Sequence, residues 1–331
     1  MGKSITVTSN TDFRFIDIFK FFCSFLIIGI HTNPFGGNNL LDNAFGMLTR
    51  IAVPFFFVSS AFFLFKKEFM WSRIARYCKR LLLLYAVYSV FYVIYELFTQ
   101  QFVWNDFLIK FFFSGYQHLW FLQQSVIAVL VISLFIRLFK NPRLLYILSA
   151  AFYVIGVFVF TLRPISMNIP LVQSYYGSFL YEIIFERSWI FYAVPYMAIG
   201  YYFSQNGFCT KKISAIGIAV SLFLLIAESF IGVYIIHVTS TVLWLSVLPL
   251  SFFIFSMVAQ INLKGNYNVI FLRKSSTLIY CIHLLIVFIL ESFGINHMIL
   301  FILTSVLSFL YSVIVIKLSS LRYLRFLKIL Y

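Results

Sequence analysis

Charge is the scarcest commodity in this sequence, and acidic charge above all. Its 331 residues include only 10 Asp and Glu, and charged residues of both signs make up 11%. A soluble domain carries about 25%, so a water-facing globular surface is excluded. Low-complexity tracts and long polar segments are also missing, which leaves no room for a soluble second domain. Cysteine is sparse: Cys23, Cys78, Cys209 and Cys281 share no metal-ligand spacing, and two lie within apolar runs. Neither a metal site nor a disulfide framework is indicated. No phosphate-cradling glycine loop, nucleophile elbow or HExxH helix occurs, so covalent serine chemistry and zinc hydrolysis have no sequence support.

What is present is apolar. Hydrophobic residues make up 62% and aromatics 21% of the chain, with a mean hydropathy of +0.97. These values predict an all-α, polytopic membrane helical bundle, because a spanning backbone must satisfy its own hydrogen bonds and the runs are too long for an alternating barrel. The net charge of +15 does not point to nucleic acid. Its basic residues sit in short loops between apolar runs, where they read as a topology signal.

Runs of about eighteen or more apolar residues number ten. They are Phe13–His31, Ala44–Phe65, Leu81–Phe98, Leu119–Leu138, Leu144–Leu162, Ser188–Phe203, Ile213–Ile235, Thr241–Gln260, Ser276–Ser292 and Met298–Ile316. The first lacks a cleavage site and is read as a retained span. With ten spans, 20 of the 25 basic residues fall on one side, which predicts cytoplasmic termini for a multi-pass protein with a single transmembrane domain over residues 1–331.

The first span carries Arg14, Asp17, Lys20 and His31. A charged group at a span centre costs roughly 2.5–3.5 kcal/mol on insertion scales, so four ionisable groups call for an explanation. At about 100° per residue, Asp17, Lys20, Ser24 and His31 share one side. Lys20 and His31 lie ~20° apart around the helix and ~16 Å apart along it. Arg14 and Asp17 near the edge can snorkel and pair as topology anchors. His31 is either an interfacial hydrogen-bonding residue or a general base for a hydroxyl.

Three further groups combine a bland reading with a chemical one. The segment Lys66–Arg80 is the strongest positive-inside signal, yet Arg73 and Arg76, three apart, suit an anionic ligand such as a coenzyme A thioester. His118 and Trp120, in QHLWFLQQ, form either an interfacial aromatic belt or the wall of a polar cavity. In the ninth span Ser276, Tyr280 and His283 share a face, where His283 either bonds a neighbouring helix or takes part in function. Glu96, Glu228 and Glu291 are candidate partners for Arg187 or for a histidine.

These residues resemble the acyltransferase 3 family of integral membrane acyltransferases. The likeness rests on Lys20-x10-His31 with Arg14 and Asp17 upstream, VPFFFVSSAFFLF at Val53–Phe65, Arg73-x-x-Arg76, HLWFL at His118–Leu122, FYAVPYMAIGYY at Phe191–Tyr202, and IYCIH at Ile279–His283. The resemblance implies a multi-pass protein of a bacterial inner membrane that transfers an acyl group, usually acetyl, from cytoplasmic acyl-CoA to a hydroxyl or amine of an envelope or lipid-linked saccharide. It implies His31 as the catalytic histidine, Lys20 as its paired basic residue, and Arg73 and Arg76 as contacts for the acyl-CoA donor. His118, Trp120, Arg187, Tyr280 and His283 are expected in supporting positions. Acetyl-CoA enters as a substrate, with no permanently bound cofactor and no metal. Two positions depart from the family pattern: Ala61 replaces a frequent glycine, and Lys20 replaces a frequent arginine. The VPFFF and HLWFL segments are also similar to the membrane half of vancomycin-resistance serine racemases. That keeps transport of a small polar molecule, or flipping of a lipid-linked sugar, as the alternative.

Overall fold

The computed structural model describes residues 13–36, 40–238, 242–263 and 268–331, which contain helices and no β-strand. Lys3 and Lys264, which belong to the charge pattern, lie outside the described residues. In chain order the α-helices are α1 (Arg14–Thr32), α2 (Leu40–Thr49), α3 (Ala52–Phe65), α4 (Trp71–Phe98), α5 (Trp104–Ile109), α6 (Trp120–Phe139), α7 (Pro142–Gly156), the short α8 (Arg163–Ser166), α9 (Pro170–Tyr176) and α10 (Leu180–Ile183), then α11 (Val194–Asn206), α12 (Lys211–Phe230), α13 (Val247–Val258), α14 (Val269–Glu291) and α15 (His297–Leu318).

Among the described residues eight helical stretches are long and apolar enough to cross a membrane. They are α1, Leu41–Phe65, α4, Trp104–Phe139, Pro142–Thr161, Lys211–Ile236, α14 and α15. The other two expected spans contain shorter helices. Within Ser188–Phe203 a π-helical turn, Trp189–Ala193, leads into α11. Of Thr241–Gln260, Thr241 lies outside the described residues and the helix is α13, only 12 residues long.

Local chemistry sets several boundaries. Asn141 caps α7 by accepting from Arg143 and Leu144 N–H, with Pro142 at the first helical position where no amide donor is needed. Asn268 and Asn296 cap α14 and α15 in the same way. The start of α13 is capped from a distance: the Glu228 carboxylate accepts from Leu245 N–H at 2.6 Å and Ser246 N–H at 2.9 Å. An anion at that position also meets the positive end of the helix dipole.

The chain divides into two compact units. The first comprises Pro54–Leu81 and Val103–Gln260; the second comprises Thr11–Val53, Leu82–Phe102 and Ile261–Tyr331, with α4 contributing to both. In the first unit α11 meets α3 at Gly200, where an added Cβ would lie 2.2 Å from the Val58 carbonyl oxygen and 2.8 Å from the Ala61 Cβ. The family's frequent glycine is thus an alanine on α3, and the close approach is supplied by a glycine on α11. Phe62, Phe203 and Phe255 complete this contact with ring centroids 5.3–5.5 Å apart.

In the second unit α14 packs against both α1 and α15. Tyr92 ties α4 to α14, its hydroxyl donating to the Cys281 carbonyl at 2.9 Å and accepting from Leu285 N–H at 3.3 Å. Near the end of α1, Gly29 admits the Phe45 ring of α2, which an added Cβ would meet at 2.4 Å.

Candidate active site

The second unit gathers most of the ionisable stripe. Asp17, in the first turn of α1, is only 2% exposed. Its oxygens accept a two-pronged bond from Arg273 of α14, Nε to Oδ1 at 3.0 Å and Nη2 to Oδ2 at 2.6 Å. A fork of this kind compensates the desolvation of a carboxylate better than a lysine would. Arg14 donates to the Leu263 carbonyl at 3.1 Å. The expected local anchor is therefore a bond between helices, with Arg273 as the partner that the structure gives Asp17. Lys20 is half-buried on the same helix.

In the last turn of α1, the half-buried His31 meets the fully buried His283 of α14, ring centroids 5.3 Å apart and planes tilted by 46°. Tyr280 lies 6.2 Å from His283. The Nδ1 of His283 faces the carbonyls of Tyr280 at 2.8 Å and Ile279 at 3.2 Å. Carbonyls only accept, so Nδ1 carries a proton, and in the neutral ring Nε2 keeps the lone pair. His297, the first residue of α15, faces the Thr32 carbonyl through Nδ1 at 3.1 Å and so fastens the end of α1. α1 and α14 are thus joined twice, by Asp17–Arg273 near their starts and by His31–His283 farther along.

The first unit holds the other candidates. Arg187 lies 5.9 Å from the centroid of the Trp120 ring, a cation–π arrangement, with its Nε 3.6 Å from Glu186. Trp120 in turn contacts Tyr192 and Phe57. His118 is buried. The two glutamines beside them serve the backbone. Gln123 donates to the Phe111 and Phe112 carbonyls at 3.1 and 2.8 Å, and Gln124 accepts from Trp189 N–H at 2.8 Å. They satisfy groups that the π-turns at Lys110–Ser114 and Trp189–Ala193 leave exposed.

Arg73 and Arg76 lie in the first turns of α4, ahead of its expected start at Leu81. Arg73 donates to the Glu68 carbonyl at 2.7 Å, which holds the preceding turn, while Arg76 is exposed. Beside them burial, and then the charge of Lys67, pushes the Lys66 ammonium below its ordinary pKa.

Sequence reasoning missed Arg273, which it counted only as a cytoplasmic charge, and it gave His297 no role. A buried carboxylate demands a cation, but no local pattern selects one of 25. Among the described residues no group of three His, Cys, Asp or Glu side chains could hold a metal ion.

Comparison with known proteins follows the same line. Two amino-acid racemases of Enterococcus faecalis are similar to this chain. One is 24% identical over 330 residues, covering 92% of this chain and 46% of the racemase. The other is 26% identical over 210 residues, covering 60% and 29%. The chain therefore spans less than half the length of either relative. No solved structure matches it. The model of the acyltransferase 3 family, described as an acyltransferase domain, matches residues 13–318. The chain is a multi-pass membrane protein and belongs to the acyltransferase 3 family.

Proposed function

We propose that the protein transfers an acyl group, acetyl in the first instance, from cytoplasmic acyl-CoA to a hydroxyl of an envelope or lipid-linked saccharide. The observation that carries this reading is the His31–His283 contact on two helices also joined by an ion pair to a buried carboxylate. A proton-transfer residue is most effective when a second group orients it and its scaffold is rigid. In this reading His31 takes the acceptor hydroxyl proton as the oxygen attacks the thioester carbonyl. A C–O bond forms, the C–S bond breaks, and the proton passes from His31 to the departing thiolate. The products are an ester and free coenzyme A. His283 acts as a positioning residue, its Nδ1–H committed to backbone and its Nε2 able to accept from a protonated His31. Lys20 lies on the donor side of the stripe, and Arg73 and Arg76 take the coenzyme phosphates.

The test compares the acyl content of envelope glycans in a strain lacking the gene and in the same strain carrying it. A mass increment that returns with the gene supports the proposal; its absence contradicts it. A second reading, passage of a small polar molecule such as an amino acid, draws on the likeness to two amino-acid racemases. Uptake of labelled serine in the same two strains separates the readings.

A further inference from the structure

Beyond α15 the chain turns into 3-10 helix over Arg322–Leu330, in two pieces joined by a kink at Leu324. With three residues per turn, side chains three apart share a face, and the sequence RYLRFLKIL sorts into three faces by that rule. Arg322, Arg325 and Lys328 form one, all exposed. Tyr323, Phe326 and Ile329 form the second, exposed by 90%, 67% and 40%. Leu324, Leu327 and Leu330 form the third, which turns inward and ends in the buried Leu330.

The segment is held in place. Tyr88 donates to the Leu330 carbonyl at 3.3 Å, Tyr331 and Ser319 share a hydroxyl bond at 2.8 Å, and Lys274 lies 4.7 Å from the centre of the Tyr331 ring. These contacts fold the run back to the start of α14. Together with Lys317 the run presents four basic residues directly after a membrane-length helix, and no acidic residue follows Glu291. Among the described residues none of Arg322, Arg325 and Lys328 has a carboxylate within ion-pair distance.

We infer that Arg322–Leu330 is a binding surface for anionic phospholipid headgroups, lying flat in the interface. Exposed aromatic and aliphatic side chains in so short a segment are costly in water and favourable at the boundary of headgroup and acyl chain. The adjacent basic face meets lipid phosphates there, and a cluster of four to eight Lys and Arg next to a span is the usual signature of such attraction. Lipid, rather than a soluble anion, is the occupant because the aromatic face needs hydrocarbon alongside the charge.

The full-length protein, purified and delipidated, is titrated with phosphatidylglycerol and with phosphatidylcholine, and bound lipids are counted by native mass spectrometry. The wild type should prefer phosphatidylglycerol. The R322Q/R325Q/K328Q variant should lose on the order of tenfold or more in that affinity, while a K211Q/K212Q control loses none. Equal phosphatidylglycerol binding by wild type and triple variant, or an equal loss in the control, overturns the inference. A dimer that disappears in the triple variant would assign the face to a second copy of the chain and also overturn it. A spin label at Phe326→Cys, with all native charges retained, should be relaxed by membrane-dissolved oxygen in anionic nanodiscs; relaxation only by a water-soluble reagent contradicts the placement.

Discussion

A single carboxylate shows how this chain handles charge in an apolar setting. Asp17 is buried and its carboxylate needs a cation, and its two bonds to Arg273 tie α1 to α14. Removing the guanidinium strands a buried anion. Because the Arg273 side chain is itself 53% exposed, the cost falls below that of a fully buried pair. Arg273→Ala should destabilise the protein by about 2–3 kcal/mol, read as a lower thermal midpoint in detergent, and Arg273→Lys should recover only part because the fork is lost. At the other junction, His283→Ala should lower kcat by on the order of tenfold to a hundredfold, less than loss of the base itself. The KM for acyl-CoA should stay unchanged and the pH profile of kcat should shift. A change confined to KM would place His283 elsewhere in the chemistry.

At the scale of elements, Gly200 is a position where two helices come close. Gly200→Ala drives a methyl group into the Val58 carbonyl and Ala61, and should cost about 1–3 kcal/mol by overpacking. Ala61→Gly introduces no clash and should cost only the helix penalty of glycine, about 0.5–1 kcal/mol. Thermal unfolding of the two variants checks the asymmetry. The long helices were legible in the sequence because hydropathy reports them directly: the expected Phe13–His31 is α1, shifted by one residue. What hydropathy misses is backbone chemistry supplied from far along the chain. The expected span from Thr241 has its helix only from Val247, where Glu228 caps the preceding amides. The stretch between the expected spans Leu81–Phe98 and Leu119–Leu138 contains α5 and a π-turn whose carbonyls are satisfied by Gln123. The site was legible to the extent that its residues share a face of one helix, as Lys20 and His31 do. Arg273 could not be found that way, because its partner is 256 positions distant.

For the whole molecule, basic asymmetry predicts cytoplasmic termini, and donor and acceptor are expected on opposite faces of the membrane. Single cysteines at Arg143 and Ser320 should be protected from an impermeant reagent added outside intact cells, and one at Asn168 should react. The reverse pattern would invert the stripe and place Lys20 outward. Orientation alone does not establish chemistry, and the central claim is that His31 transfers a proton during acyl transfer. The most direct measurement is the acyl mass increment on envelope glycan in a deletion strain carrying either the wild-type gene or His31→Ala, at matched protein levels. Wild type should restore the increment, and His31→Ala should leave it roughly 10²–10⁴-fold slower to accumulate. Full restoration by His31→Ala would contradict the account.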